Sequence, residues 1–374
     1  MSKRANSEGS IFKRTDGRWC ATISGDQGQR KYFYGKTRQE VGQKLASALK
    51  ARQDGLPFVG ERQSVAAYLA EWLETCRSSV RPRTWQRYEQ YVRVHAVPGI
   101  GKIPLARLAP HHLQKLYAKT LEGGSSETTT RHLHMVLHRA LGQATRWGLV
   151  GRNVADLVTP PRKNHHEMMT LSPEQSRSFL AATKGDRLHA LYVLAITTGM
   201  RQGELLGLRW RDVDLEDGSV QVRGSLQRTS DGLTIAEPKT TRSRRKVALA
   251  DAAIEALRRN RVVQAEERLR LGAAWEDNDL VFANERGRPL EARNLLRRSF
   301  VPLLKRAGLP AIRFHDLRHT AATLMLGKSV HPKVVAEMLG HSQIAVTLDL
   351  YSHVTPTMQG QAAQAMNAIL GSTR

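Results

Sequence analysis

The chain has 374 residues, 40% of them hydrophobic, which is enough for two or three globular domains and excludes a disordered tail. Its formal net charge of +24 is more than solubility needs, so we expect a polyanionic partner, nucleic acid first, with a ribosomal-type or merely basic protein as the alternative. Cys20 and Cys76 lie far apart, and no run of about 18 apolar residues is present, which predicts a cytoplasmic protein without a disulfide framework or a membrane span.

The first sixty residues predict a small sheet packed on one helix. Residues 10–24 alternate around a Thr-Asp-Gly-Arg turn, as a hairpin does, and a third strand is expected at 31–34. Thr37 and Glu40 form a capping-box pattern that opens a helix, which Gly55 ends. The candidate inward residues of the hairpin are Ile11, Trp19, Ala21 and Ile23. Basic and aromatic residues here predict either a DNA-contacting face or the core of the domain: Arg18, Trp19, Arg30, Lys31, Tyr32 and Tyr34.

From residue 64 to about 150 the pattern is helical throughout. The first helix has an apolar face formed by Val65, Tyr68, Leu69, Trp72, Leu73 and Cys76. Three further helices are expected at 83–96, 111–121 and 126–148. The breakers between them are Pro98-Gly99, Pro104, Pro110 and Gly123-Gly124. The arginines of this bundle predict either a DNA-binding surface or a solvated face: Arg81, Arg83, Arg87, Arg93, Arg131 and Arg139.

An extended linker at 160–163 leads into the last region, which is mixed in pattern. Ser172, Pro173 and Gln175 read as an N-cap, a proline at the first helical position and a capping-box glutamine, so a helix opens a new domain here. Helices come first and last in this region. Short strands are expected between them at 219–223, 233–237 and 244–249.

An arginine in this region stands where it can contact an anion. Arg201 follows a glycine helix stop, Gly199, and begins an amphipathic run. A guanidinium at such a place can point at a phosphate beside a helix N-terminus. The alternative is an ordinary surface ion pair with Glu204.

Two more groups of polar residues follow toward the C-terminus. His315 and Arg318 lie three residues apart at the start of a predicted helix, so both side chains can act on one ligand. His341 follows a helix end at Gly340, and Tyr351 comes ten residues later. A tyrosine taken alone predicts a half-buried packing residue; its meaning depends on the whole set.

Two groups of histidines have a spacing at which helices can bind metal. The first group is His132, His134 and His138. It has no carboxylate or thiolate alongside. In the second group, His315 and His319, Asp316 stands where a zincin carries glutamate, and Arg318 would repel a dication. We therefore expect no metal site.

Arg201, His315, Arg318, His341 and Tyr351, in this order and spacing, resemble the phage-integrase family of tyrosine recombinases. The resemblance implies a multidomain fold, mainly α with small β-sheets. It implies three domains: an N-terminal arm-type DNA-binding domain at 1–60 with a three-stranded sheet and a helix, a helical core-binding (SAM-like) domain at 61–160, and a mixed α+β catalytic domain at 166–374. The implied function is a site-specific DNA recombinase that cleaves and rejoins strands through a 3′-phosphotyrosine, integrating or excising a phage or mobile element.

The reaction needs a nucleophile, stabilisation of the phosphate charge and a proton for the leaving oxygen. Tyr351 is the expected nucleophile, and its phenolate costs roughly 4 kcal/mol at pH 7, which neighbouring cations or a base must offset. Arg201 and Arg318 would clamp the phosphate. The resemblance implies the remaining roles: His315 handles the tyrosine proton, Lys239 protonates the 5′ oxygen, His341 donates to the phosphate and Glu204 supports Arg201. For the lysine role, Lys246 and several nearby arginines remain alternatives.

The expected partners follow from this assignment. They are double-stranded DNA at attachment sites, three further copies of the chain in a homotetramer, and an accessory DNA-bending or directionality factor, with no membrane. No cofactor is expected, since the phosphotyrosine keeps the bond energy and the sequence has no P-loop. An apolar face in the tail either docks on a neighbouring subunit or folds back on its own domain: Met358, Ala362, Met366, Ile369 and Leu370. Two alternatives stay open, a type IB topoisomerase or resolvase-like enzyme and a non-catalytic DNA-binding regulator.

Overall fold

The computed structural model of the chain describes residues 9–24, 30–53, 63–162, 168–229, 232–236, 244–341, 343–345, 347–348, 360, 364 and 366–371. The chain divides into two compact units, Met1–His165 and His166–Arg374. Within the described ranges no helix is both long enough and apolar enough to cross a membrane.

The first unit begins with a three-stranded antiparallel sheet and a helix. The elements are β1 (Ser10–Lys13), β2 (Trp19–Ser24), β3 (Arg30–Gly35) and α1 (Arg38–Gln53), with strand order β1-β2-β3. Glu40 N–H donates to Thr37 Oγ1 (3.2 Å), which supports the predicted helix start, while the predicted stop at Gly55 lies outside the described residues. A core of four buried side chains joins sheet and helix: Ala21, Ile23, Val41 and Leu45. The predicted sheet and helix are therefore confirmed.

The aromatic residues of this sheet divide between its two faces. Trp19 and Phe33 pack against the core, whereas Tyr32 and Tyr34 are about half exposed on the opposite face. Arg14 lies over the Tyr34 ring, 5.4 Å from its centroid. The core interpretation thus holds for Trp19, whereas Tyr32 and Tyr34 lie outside the core, and a DNA contact of these two tyrosines stays a prediction.

The rest of the first unit is a helical bundle around buried Tyr68 and Trp72. Ser64 and Ser126 accept backbone N–H groups at the starts of two of its helices, as N-caps do. The elements are α2 (Val65–Arg77), α3 (Pro82–Tyr91), a π turn (Val92–Ala96), α4 (Val97–Ile100), a 3₁₀ turn (Leu105–Arg107), α5 (Pro110–Glu122), α6 (Glu127–Arg146) and a second 3₁₀ turn (Val154–Leu157).

One predicted helix boundary in this bundle is wrong. Pro98 and Gly99 are not a break, because the helical path runs on from α3 through the π turn and α4 to Ile100. Val97 N–H donates to Val92 O, five residues back, so the turn before the proline is wider than an α turn. A widened turn displaces the carbonyl that the proline ring would otherwise hit, which is why the helix tolerates it.

The second unit is mixed α and β, as predicted. Its helices are α7 (Pro173–Ala182), α8 (His189–Thr198), α9 (Gln202–Leu206), α10 (Asp251–Leu271), α11 (Ala292–Leu295), α12 (Val301–Arg306), α13 (Asp316–Gly327) and α14 (Pro332–Leu339), with a π turn at Leu296–Phe300. Its strands are β4 (Val213–Asp214), β5 (Ser219–Val222), β6 (Ser225–Thr229), β7 (Gly232–Ala236) and β8 (Arg245–Ala248). They form an antiparallel sheet β4-β5-β8 and a hairpin β6-β7. The prediction missed β4, which has two residues, and β6, in which only Leu226 is apolar and no alternation is visible.

Helix α8 is the centre of this unit. It packs against α10 and α13, and eight of its ten residues are buried. Tyr192 of α8 belongs to a cluster of aromatic rings with Phe179, Phe300 and Phe314. The C-terminal end of this buried helix is therefore a well-packed starting point for the polar residues that follow it.

Candidate active site

Arg201 is held in place by the way α8 ends. Gly199 adopts a left-handed conformation (φ 62°), and its N–H donates to Ala195 O (3.1 Å). A Cβ at this position would lie 2.4 Å from Leu339 Cδ2, so only glycine allows the close approach of α14. Two residues later Arg201 returns to an extended conformation and precedes α9. The predicted glycine stop before the arginine is present.

The Arg201 side chain contacts one carboxylate and one backbone carbonyl. Its Nη1 donates to Glu204 Oε1 (2.8 Å), its own N–H donates to Glu204 Oε2 (3.0 Å), and its Nη2 donates to Gly340 O (3.1 Å). The predicted alternative, a surface ion pair with Glu204, fits only in part, because Glu204 is 6% exposed. Arg201 itself keeps 39% of its side chain exposed, so the guanidinium has one anchored side and one open side.

Arg318 is the more buried of the two guanidiniums, at 3% exposed. Its Nη1 donates to Gly199 O (2.9 Å), while its Nη2 makes no hydrogen bond to any residue that the structure describes. Burial, followed by the charge of Arg201, lowers the pKa of Arg318 to about 9. A buried cation with an unused donor is costly unless an anion satisfies it.

The two arginines are anchored crosswise. Arg318 of α13 donates to the carbonyl that ends α8, and Arg201, which follows α8, donates to the carbonyl that ends α14. Each helix end thus fixes an arginine that belongs to another segment. The guanidiniums of residues 201 and 318 therefore lie in one region of the second unit. In addition to burial, the charge of Arg201 lowers the pKa of Arg318, and the charges of both arginines lower the pKa of His341.

His315 lies at the residue before α13, close to both arginines. The loop is fixed by buried Asp316, which accepts from Arg313 N–H (2.8 Å) and Arg313 Nη2 (2.9 Å). The His315 ring packs edge-on against His319 at 4.9 Å, although His315 keeps an exposed surface. Loss of solvation around the imidazole, then the nearby His319 and Arg318, lowers the pKa of His315 to about 4. At pH 7 this side chain is neutral and able to accept a proton.

His341 is placed by a Schellman motif at the end of α14. Gly340 has φ 67°, its N–H donates to Glu337 O (3.0 Å), and His341 N–H donates to Ala336 O (3.0 Å). The ring Nδ1 is 2.8 Å from Thr347 Oγ1, which orients the imidazole. Burial, then the charges of Arg318 and Arg201, lowers the pKa of His341 to about 4. This histidine is also neutral at pH 7.

Two predicted site residues, Lys239 and Tyr351, lie outside the described residues. Of the alternatives for the lysine role, Lys246 is exposed and paired with Asp217 at 2.5 Å. Arg245 is 7% exposed and pairs with Glu204 at 2.8 Å. The sequence analysis did not single out Arg245. A signal was present, because Arg245 lies two residues before buried Val247 and therefore on the same, inward face of β8.

The assembled cluster has the chemistry of an anion site. Within the part of the chain that the structure describes, no group of three or more histidine, cysteine or acidic residues is arranged to hold a metal ion. Instead two guanidiniums and two neutral imidazoles lie in one region, where burial, followed by the charges of neighbouring residues, lowers the pKa of both histidines and of Arg318. Hydrogen-bond donors with fixed positions and excess positive charge can stabilise a phosphate as charge develops on it.

Comparison with known proteins identifies relatives over nearly the whole chain. The profile of the Phage integrase family matches residues 169–358, and that of the phage integrase N-terminal SAM-like domain matches residues 64–121. A tyrosine recombinase XerC-like protein of Caldanaerobacter subterraneus subsp. tengcongensis is 33% identical, over 90% of this chain and 91% of the relative. An integrase of Streptomyces ambofaciens is 30% identical, over 91% of each chain.

Solved structures share the fold. The Tn1549 transposon integrase in complex with transposon right end DNA superposes with a TM-score of 0.69 at 24% identity, covering 83% of this chain and 100% of that one. A lambda integrase tetramer bound to a Holliday junction gives a TM-score of 0.57 at 18% identity, covering 93% of this chain and 96% of that one.

Proposed function

Because the chain belongs to the phage integrase family and is a tyrosine site-specific recombinase of a mobile element, we propose that Tyr351 is its nucleophile on double-stranded DNA. One observation carries the assignment of the site: the buried guanidinium of Arg318 has an unused donor beside the guanidinium of Arg201. Such a pair requires an anion, and Tyr351 follows His341 by ten residues within the family match.

The first proposed step is clamping of the scissile phosphate. Arg201 and Arg318 donate to its non-bridging oxygens, and His341 donates to it through Nε2 while Nδ1 faces Thr347. Glu204 keeps Arg201 in position by accepting from both its backbone and its side chain. In comparable oxyanion sites each such donor contributes about 2.7 to 4 kcal/mol to the transition state.

The second step is the displacement at phosphorus. The Tyr351 oxygen forms a bond to phosphorus as the bond from phosphorus to the 5′ oxygen breaks, which leaves a 3′-phosphotyrosine and a free 5′ hydroxyl. His315, neutral at pH 7, accepts the phenol proton, and Lys239 supplies the proton of the leaving oxygen. Attack by a 5′ hydroxyl on the phosphotyrosine reverses the step and joins strands. The step requires neither ATP nor a divalent ion.

The first unit is proposed to bind DNA through two domains. Residues 1–60 form the arm-type domain, whose outer sheet face carries Tyr32, Tyr34 and Arg14. Residues 61–160 form the core-binding domain, which has a groove of about 560 Å³ lined by Arg87, Tyr88, Tyr91, His132, His134, Met135, Val136, His138 and Arg139. Residues 166–374 form the catalytic domain. Four copies act together on the attachment sites in the cytoplasm, with an accessory DNA-bending or directionality factor.

A nicked suicide substrate tests this proposal. After cleavage, the short fragment that carries the free 5′ hydroxyl diffuses away, so the strand cannot be rejoined. The wild-type chain should therefore accumulate a covalent DNA adduct in EDTA. Tyr351→Phe should bind the same DNA without forming the adduct. Tyr192→Phe is the matched control, because it keeps a buried ring, loses only a hydroxyl bonded to Ser299 Oγ (2.6 Å) and should retain the adduct.

The possible outcomes separate the alternatives. An adduct in Tyr351→Phe would overturn the assignment of the nucleophile, and strict dependence on Mg²⁺ would contradict the metal-free mechanism. A wild-type chain that relaxes any supercoiled plasmid but never joins two defined sites would favour the topoisomerase alternative. A chain that binds DNA and forms no adduct would favour a non-catalytic regulator.

A further inference from the structure

Arg245 lies on the inward face of an antiparallel strand. In β8 it is the register partner of Val222 in β5, and Val247, two residues on, is fully buried. The Arg245 side chain is 7% exposed. Removing a guanidinium from water costs several kcal/mol unless good partners surround it, so its contacts need an explanation.

The contacts of Arg245 join three segments of the second unit. Its Nη2 donates to Glu204 Oε2 (2.8 Å) and its Nη1 to Glu204 Oε1 (3.3 Å), while its Nε donates to Met338 O (2.6 Å). It also lies against the turn that ends α14, since a Cβ on Gly340 would be 2.9 Å from Arg245 Nη1. One side chain thus connects β8, α9 and the end of α14.

Each of these contacts leads to a residue of the proposed phosphate clamp. Glu204 is shared, because the carboxylate that accepts from Arg245 also accepts from Arg201 Nη1 (2.8 Å). The turn at Gly340 supplies the carbonyl that holds Arg201 Nη2 (3.1 Å), and His341 is the next residue. Moving Arg245 would therefore disturb the anchors of both Arg201 and His341.

Arg245 also sets the charge balance of the cluster. Glu204 with Arg201 alone would be a neutral pair, whereas Glu204 with both arginines carries a net charge of about +1. Burial tends to raise the pKa of Glu204, but the hydrogen bond and charge of Arg245, followed by those of Arg201, outweigh it and lower that pKa. The carboxylate is thus ionised at neutral pH without cancelling the charge of Arg201.

We propose that Arg245 is a positioning residue: it fixes Glu204 and the Gly340 turn, and so aims Arg201 and His341 at the scissile phosphate while leaving Arg201 its positive charge. This inference rests on the proposed function, since it concerns the same phosphate. It assigns Arg245 no contact with DNA.

The test measures single-turnover formation of the covalent adduct on the suicide substrate at saturating protein. Arg245→Met should slow adduct formation about 100-fold, as misplacement of a reacting group by about 1 Å does. Arg245→Lys keeps a charge but loses the fork that reaches three oxygens, so a smaller loss of about 10-fold is expected. Arg259→Met is the control, because Arg259 lies on α10 of the same unit, is 75% exposed and pairs with Glu255, which is 65% exposed. It should retain the wild-type rate.

A double variant separates charge balance from simple structural support. In Arg245→Met the carboxylate of Glu204 is left with Arg201 alone; adding Glu204→Gln removes that charge and should recover part of the rate. A residue that only supported the fold would give the opposite result, since the second change would remove a further contact. Failure of the double variant to exceed Arg245→Met would overturn the charge-balance part.

The remaining outcomes also test the inference about Arg245. Folded Arg245→Met that forms the adduct at the wild-type rate would overturn the inference. If Arg245→Met does not fold, Arg245→Lys carries the test, and a wild-type rate in Arg245→Lys at an unchanged melting temperature would overturn the need for the fork. A wild-type chain without any adduct would overturn the proposed function and this inference together.

Discussion

Arginines serve in two different environments in this chain. In the second unit Arg318 and Arg245 are almost completely buried, and carbonyls and a carboxylate hold them in one orientation. In the helical bundle Arg87 and Arg139 lie on exposed faces, over the rings of Tyr91 and Tyr88 at 5.8 and 5.7 Å. The residue type is the same, but the cost of its placement differs greatly.

The difference concerns what each environment can do for a phosphate. A buried guanidinium has lost its water in advance, so it needs no rearrangement when charge develops beside it. An exposed guanidinium over an aromatic ring keeps its water and adapts to different partners, which suits binding along a DNA backbone. We therefore expect arginines that are buried or held by a buried partner, as Arg201 is by Glu204, to control the rate of the reaction, and fully exposed arginines to control affinity.

The largest effect should come from Arg318→Ala. The variant removes a donor of the proposed phosphate clamp, and a loss of about 2.7 to 4 kcal/mol corresponds to adduct formation slower by a factor of about 10² to 10³. Affinity for an uncleavable duplex should change far less. The measurement is the rate of adduct formation on a suicide substrate, alongside binding to an intact site.

Arg177→Ala is the control for that experiment. Arg177 is 72% exposed on α7 of the same unit and pairs only with a similarly exposed Glu174 among the contacts described. Its removal takes away the same charge without a buried anchor, so the rate should stay at the wild-type value. Equal losses in the two variants would remove the distinction between buried and exposed arginines.

The second expected effect is a loss of stability in mild acid. His315 and His341 have pKa values of about 4 in the folded chain, against 6.5 for an ordinary histidine. Between these values the unfolded chain takes up protons that the folded chain does not, so stability must fall as the pH drops from 6.5 toward 4. We expect a lower melting temperature at pH 5 than at pH 7.

A double variant isolates this contribution from other groups that titrate in the same range. In His315→Gln with His341→Gln neither side chain titrates, so the decrease in melting temperature between pH 7 and pH 5 should be smaller than in the wild type. An equal decrease would mean that the buried cluster does not repel protons from these histidines. The comparison would then lose its electrostatic basis.

The sequence predicted much of this arrangement because several signals are local. The glycine stop before Arg201, the capping box at Ser172 and the hairpin of the first sheet follow from turn and capping preferences. The helix break predicted at Pro98 was wrong because the wider turn just before the proline depends on packing in the bundle. The crosswise anchoring of Arg201 by Gly340 spans 139 residues, a contact that no local pattern encodes.

Arg245 shows a further limit of pattern reading. Arg245 lies two residues before Val247, which places both side chains on the buried face of β8. Its partner Glu204 is 41 residues away, and this pairing depends on how β8 packs with the rest of the unit. A charged residue at an inward strand position therefore predicts a buried ion pair but does not identify the partner residue. The role of Tyr351 is a prediction that the suicide substrate tests directly, and the role of Lys239 stays a prediction.

The smallest expected effect belongs to the exposed class. Arg139→Ala removes a cation that donates to Tyr88 Oη (3.1 Å) beside the groove of the helical bundle. If Arg139 contacts one phosphate, the slope of log affinity against log salt should decrease by about 1, while adduct formation on fully bound DNA keeps its rate. Arg139→Lys retains the charge and should leave the slope unchanged. A slower adduct rate at saturation would place this exposed arginine in the rate-controlling class, contrary to the distinction that burial predicts.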